Sequence, residues 1–157
     1  MKYNRETTAF WIFLPLAAGA LSGYLSRTGI VNYGISTVRP SFSPPAILFP
    51  IVWTLLYLLM GIGASTVYRQ PLSRERANAL NLFIIQLVIN FFWSLIFFNA
   101  QAYGLALLWL FLLLVVVILM FLSFLRVYEY AGLLQIPYVL WLFFASYLNY
   151  DAWQLNG

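Results

Sequence analysis

The 157-residue sequence has no cysteine, no histidine and very little charge, with 8% of its residues ionised. Without cysteine there can be no disulfide and no thiolate metal site. Without histidine the commonest general base is missing, as is the usual ligand of zinc and haem. The four acids, Glu6, Glu75, Glu129 and Asp151, lie at the ends of apolar runs or between them. A proton-coupled transporter would keep a carboxylate inside a span, and none is found there. The net charge of +4 is scattered between apolar stretches, which excludes the basic stripe of a nucleic-acid-binding domain. A soluble domain is about 45–50% apolar and about a quarter charged. This chain is 64% hydrophobic, an excess that so short a soluble fold could not cover.

What is present instead is membrane-spanning sequence. About 20 mostly apolar residues cross the hydrocarbon, and five runs meet that length: residues 7–26, 46–68, 78–98, 104–126 and 131–151. The uncharged stretch from residue 77 to 125 divides at its one polar cluster, Asn99-Ala100-Gln101-Ala102-Tyr103-Gly104. None of the runs alternates as barrel strands do. The expected fold is all-α: one membrane domain over residues 1–157, a bundle of five transmembrane helices. Lys2, Arg5, Arg69, Arg74, Arg76 and Arg126 fall on one side of it, and Arg27 and Arg39 on the other. The positive-inside rule then puts the N-terminus in the cytoplasm and the C-terminus outside. The first run follows Lys2 and Arg5 and ends in small residues, as a signal peptide does, but its length predicts a retained span. Residues 27–46, with Gly29, Gly34, Pro40, Pro44 and Pro45, predict a long ordered first loop serving as a lid or binding element. No internal repeat supports an inverted-repeat transporter.

Inside the third span Gln86, Asn90, Trp93 and Phe97 recur at spacings of four, three and four, and so share a face. An asparagine in hydrocarbon needs a partner, so this face looks into the bundle. It is either interhelical glue, at about 0.6 kcal/mol per bond, or the polar part of a ligand cavity. Small residues at spacings of four, Ala18, Ser22 and Ser26 with Gly19 and Gly23, let the first span approach a neighbour, in the monomer or across a dimer. Trp11, Trp109 and Trp153 sit near span ends, where indoles line the membrane interface. Trp53, Trp93 and Trp141 lie deeper. Trp53, Tyr57 and Gly61 share one helix face; Trp141, Ala145 and Leu148 share another, with Tyr138 a turn earlier. Large rings facing small residues leave a flat slot for a planar guest, or else the rings fill the core.

Three stretches carry a resemblance: Arg39-Pro40-Ser41-Phe42-Ser43-Pro44-Pro45 with Phe49-Pro50-Ile51-Val52-Trp53 through Tyr57 to Gly61; Asn90-Phe91-Phe92-Trp93-Ser94 with Phe97-Phe98; and Pro137-Tyr138-Val139-Leu140-Trp141 through Ala145 and Leu148 to Asn149. In order and spacing the chain resembles the tryptophan-rich sensory protein family, also called the translocator protein or peripheral benzodiazepine receptor family. The resemblance implies a five-helix bundle with a pocket closed by the first loop. It implies a receptor or sensor in the bacterial cell membrane for porphyrins such as protoporphyrin IX, and for isoquinoline carboxamide and benzodiazepine ligands. Carried over by motif, the pocket residues are Trp53, Tyr57, Asn90, Trp93, Tyr138, Trp141, Ala145 and Leu148. Some bacterial members degrade protoporphyrin under light. Here Trp53 and Trp141 would carry that chemistry, their facing indoles holding the macrocycle as ligand or substrate. No separate cofactor or metal is implied. The alternatives are a porphyrin or sterol transporter and a non-catalytic regulatory protein. Two features depart from the family. Leu148 and Tyr150 are not followed by a cation within 151–155, so the sterol motif is incomplete. The third span also lacks the small-residue stripe tied to homodimers in some relatives.

Overall fold

In hydrocarbon a backbone amide finds no partner except along its own helix, so each apolar run closes into one. The computed structural model describes residues 5–157, and Lys2 lies outside them. In chain order the helices are α1 (Arg5–Leu25), α2 (Arg27–Ser36), α3 (Leu48–Tyr68), α4 (Arg74–Ser94), α5 (Tyr103–Val127), α6 (Glu129–Leu133) and α7 (Ile136–Asn156). Five helical segments are long and apolar enough to cross a membrane: α1, α3, α4 with the turn that follows it, α5, and α6 with α7. The five-span expectation holds. No strand occurs among the described residues.

Three local features depart from the expected outline. Half of the first loop is the helix α2, despite Gly29 and Gly34. Gly29 is there for contact: a Cβ at that position would stand 2.6 Å from both Asn99 Oδ1 and the Phe98 carbonyl oxygen. The third span continues past α4 as a π-helical turn, Leu95–Asn99, against which α2 packs. Such turns often occur at functional sites. The fifth span breaks at Leu134 and Gln135 between α6 and α7, where Pro137, the second residue of α7, can donate no backbone hydrogen bond. Beyond the break α7 runs on to Asn156, past the expected end at residue 151.

Three pairs of consecutive spans carry most of the packing. α1 lies mainly against α3, while α5 sits between α4 and α7. The α1–α3 contact is backbone to backbone, since a Cβ at Gly61 would meet Ile12 Cα at 2.6 Å. Ser22 donates to the Phe91 carbonyl at 2.8 Å, and Ser94 donates to Ser26 Oγ at 2.9 Å. Part of the small-residue stripe of the first span therefore serves packing inside the monomer. A Cβ at Gly23 would meet nothing within 4 Å, so that position stays open. Trp109 does more than mark an interface: its Nε1 donates to the Ile89 carbonyl at 2.7 Å, joining α5 to α4. Met60, Phe83, Val117, Met120, Phe124 and Leu142 are fully buried at the centre. Leu105, Leu108, Val115, Leu119 and Leu122 are exposed along α5, as a lipid-facing surface requires.

Arg69 donates to Thr8 Oγ1 at 2.8 Å, so the start of α1 and the α3–α4 turn share one end of the bundle. Asn99 donates to the Leu25 carbonyl at 2.9 Å, which joins the π turn to the end of α1 at the other.

Candidate ligand cavity

A cavity of about 740 Å³ lies between α1, α3, α4, α5 and α7, reaching α2 and the residues after it. That size is ordinary for a small-molecule site, which spans about 300–1,000 Å³. Its α3 wall is Phe49, Trp53 and Tyr57; its α4 wall is Asn90 and Trp93; its α7 wall is Trp141, Ala145 and Leu148. Opposite the rings α1 presents only small residues and Leu16, among them Gly19 and Gly23. Of the eight residues singled out by motif, Trp53, Tyr57, Asn90, Trp93, Trp141, Ala145 and Leu148 line this space. Tyr138 does not. It is 1% exposed and lies one layer behind the wall.

The facing indoles are not found. Trp53 and Trp141 meet edge to face, with centroids 6.4 Å apart and planes at 87°. A flat molecule cannot slide between rings already in contact. The two form a corner, held by Phe49 against Trp141 at 5.9 Å and Tyr57 against Trp53 at 5.6 Å. Nor does Gly61 contribute to a slot, since the α1 backbone covers it. Gly19 does give room to a ring, but to Tyr57 itself: a Cβ there would fall on the Tyr57 ring.

The polar side chains of the wall form two chains. Tyr57 OH donates to Asn90 Oδ1 at 2.8 Å, and Asn90 Nδ2 donates to Tyr138 OH at 2.7 Å. Tyr138 OH in turn donates to Gln86 Oε1 at 2.7 Å, and Gln86 Nε2 points at Met60 Sδ, 3.7 Å away. In the second chain Trp93 Nε1 donates to Asn149 Oδ1 at 3.1 Å, and Asn149 Nδ2 donates to the Tyr103 carbonyl at 2.9 Å. The polar face of the third span is thus both things at once. Gln86 is interhelical glue, whereas Asn90 and Trp93 bond their neighbours and also line the cavity. Trp141 Nε1 is different, being buried without a hydrogen-bond partner.

Over the cavity lie Ile30, Tyr33 and Gly34 of α2, then Arg39, Ser43 and Ala46. Tyr33 packs on Phe97 and Phe98, with centroids 5.2 and 5.5 Å away. Burial pushes the Tyr33 hydroxyl above its ordinary pKa, the neighbouring Tyr103 adds to this, and Arg39 opposes it. Asn156 fastens this cover through both halves of its amide: Val38 N donates to Asn156 Oδ1 at 3.0 Å, and Asn156 Nδ2 donates to the Val38 carbonyl at 2.9 Å. Arg39 lines the cavity. Arg27 does not: it donates to the Tyr24 carbonyl at 2.8 Å and lies over the Tyr24 ring. Tyr33 and the Asn156 fastening had no sequence signal beyond their residue types. Among the described residues no cluster of acids could hold a metal ion.

A family description, TspO/MBR family, matches residues 11–154, which include every wall residue named above. The chain belongs to the TspO/MBR family. It is similar to the tryptophan-rich protein TspO of Chlorobaculum tepidum, with 38% identity over 96% of both chains. It is 36% identical to the protein CrtK of Rhodobacter capsulatus over 92% of this chain and 89% of that one. To the translocator protein of Sus scrofa it is 32% identical, over 87% of this chain and 85% of the other. With five spanning helices, this TspO/MBR chain is a multi-pass membrane protein.

Proposed function

We propose that the protein is a membrane-embedded receptor or sensor that takes a tetrapyrrole, or another flat hydrophobic molecule such as an isoquinoline carboxamide or benzodiazepine, into the aromatic cavity. The observation that carries this is the 740 Å³ space walled by Trp53, Tyr57, Trp93 and Trp141. The ring corner gives a planar guest a face to lie against, at about 0.5–1.5 kcal/mol per ring contact beyond burial. Arg39 supplies a cation at the covered end, suited to a propionate. A metal-free porphyrin suits the site better than one that needs axial ligation, since the chain offers neither histidine nor cysteine. The side bearing Arg5, Arg69, Arg74, Arg76 and Arg126 is taken as cytoplasmic.

Titration with protoporphyrin IX, followed by its visible absorption and by tryptophan quenching, tests the assignment. The native protein is expected to bind, and Trp53→Phe with Trp141→Phe to weaken binding on the order of fivefold. Unchanged affinity in that double variant overturns the wall assignment. Illuminating the complex in air then separates receptor from enzyme: a new absorbing product adds porphyrin breakdown with oxygen as oxidant, and a constant spectrum leaves binding alone. Against transport stands the filling beneath the cavity, where Met60, Phe83, Gln86, Phe124 and Tyr138 are buried. Porphyrin accumulation in sealed proteoliposomes would overturn that choice.

A further inference from the structure

The hydrogen-bond chain behind the cavity has a direction, and its buried end sets it. Met60 is fully buried, does not line the cavity, and carries a thioether, which accepts a hydrogen bond and cannot donate one. Gln86 is fully buried beside it. If the Gln86 amide were turned over, Oε1 would face the sulfur lone pairs, and a buried acceptor would lose its partner at about 1–3 kcal/mol. Gln86 therefore keeps Nε2 towards Met60 and Oε1 towards Tyr138. Tyr138 must spend its single hydroxyl hydrogen on Gln86, which leaves only lone pairs for Asn90. Asn90 must then turn Nδ2 to Tyr138 and Oδ1 to Tyr57. Tyr57, the member of the chain on the α3 wall, has its own hydrogen committed to Asn90.

We infer that the Tyr57 hydroxyl acts on the ligand only as an acceptor, that Met60 enforces this across three intervening side chains, and that a flat hydrophobic ligand consequently gains from an N–H or O–H donor set against Tyr57. Tyr57 and Met60 are thus specificity-determining residues, the second without touching the ligand. The inference rests on the cavity being the binding site, as proposed above. A neutral hydrogen bond contributes about 0.5–1.5 kcal/mol, so the preference amounts to about 2–10-fold.

Carbazole and dibenzofuran are suitable probes. They share shape and apolar area, but one has an N–H where the other has an ether oxygen. Each is titrated into the detergent-solubilised protein by tryptophan quenching, and the ratio of the two affinities is compared among variants in the same detergent, so that partition into micelles cancels. The native protein is expected to favour carbazole by about 2–10-fold, and Tyr57→Phe to abolish the preference. Met60→Leu, which conserves volume and lies off the cavity, frees the Gln86 amide to turn over and the chain to reverse. Its preference should fall towards unity while overall affinity holds. A steric or stacking preference would not respond to Met60. Equal binding of both probes by the native protein overturns the inference and leaves the cavity assignment standing. A preference that survives Met60→Leu overturns the directional argument. Failure of both probes to bind, or binding unaffected by Trp53→Phe with Trp141→Phe, overturns the cavity assignment and this inference with it.

Discussion

Trp141 combines two opposed properties in one side chain, a ring that shapes the cavity and an N–H buried without a partner. An orphaned donor costs about 1–3 kcal/mol. Trp141→Phe removes it along with some packing, so thermal stability is expected to hold within a few degrees while protoporphyrin affinity drops. Thermal unfolding of the apo protein beside a porphyrin titration checks both; a large fall in stability would mean that the indole matters mainly to the core. At Gly19 the expectation runs differently. Gly19→Ala places a methyl against the Tyr57 ring, which must move, and overpacking of this kind costs about 1–3 kcal/mol. Carbazole affinity should fall with it, because Tyr57 is displaced from the wall.

At this scale the sequence was legible in residue type and helix face, and less so in depth. Tyr138 shares the face of Trp141, yet it lies three residues earlier, about 4.5 Å further down the helix axis. Helical side chains also lean towards the N-terminus. Both effects carry its ring below the cavity, into the bond between Asn90 and Gln86. Likewise, spacing put Trp53 and Trp141 on inward faces but could not give the angle between their rings, which Phe49, Tyr57 and Phe144 fix by contact.

Among the elements, α2 is the one whose composition reads as loop. Its two glycines and the prolines that follow are turn residues in most settings. What outweighs them is tertiary: Gly29 allows α2 to touch the π turn, and Tyr33 anchors it on Phe97 and Phe98. The segment after α2 is held by the Asn156 amide. Asn156→Ala is expected to raise hydrogen exchange at the Val38 amide by about an order of magnitude and to quicken porphyrin dissociation, with the far-ultraviolet spectrum unchanged. Unaltered exchange would show that other contacts suffice to hold the cover. At the α1–α3 crossing, Gly61→Ala must push two backbones apart and should lower the melting temperature more than any change on the lipid face of α5.

For the whole molecule, the crossings could be read because hydrocarbon thickness fixes helix length and uncharged runs are hard to mistake. The cavity could not, because its volume depends on how seven segments meet. Its wall nevertheless has a simple composition: apart from tyrosines, Arg39 is the ionisable residue lining it, and it holds no carboxylate or histidine. Tyr33, over the cavity, titrates only above the usual tyrosine range, so its neutral form persists through neutrality and is lost only at strongly alkaline pH. Nothing in this recess changes charge between pH 5 and 8. Acidification of the surrounding medium should therefore leave occupancy untouched except through the guest's own ionisation, and the protein would report how much of its ligand is dissolved in the bilayer without confusing abundance with acidity.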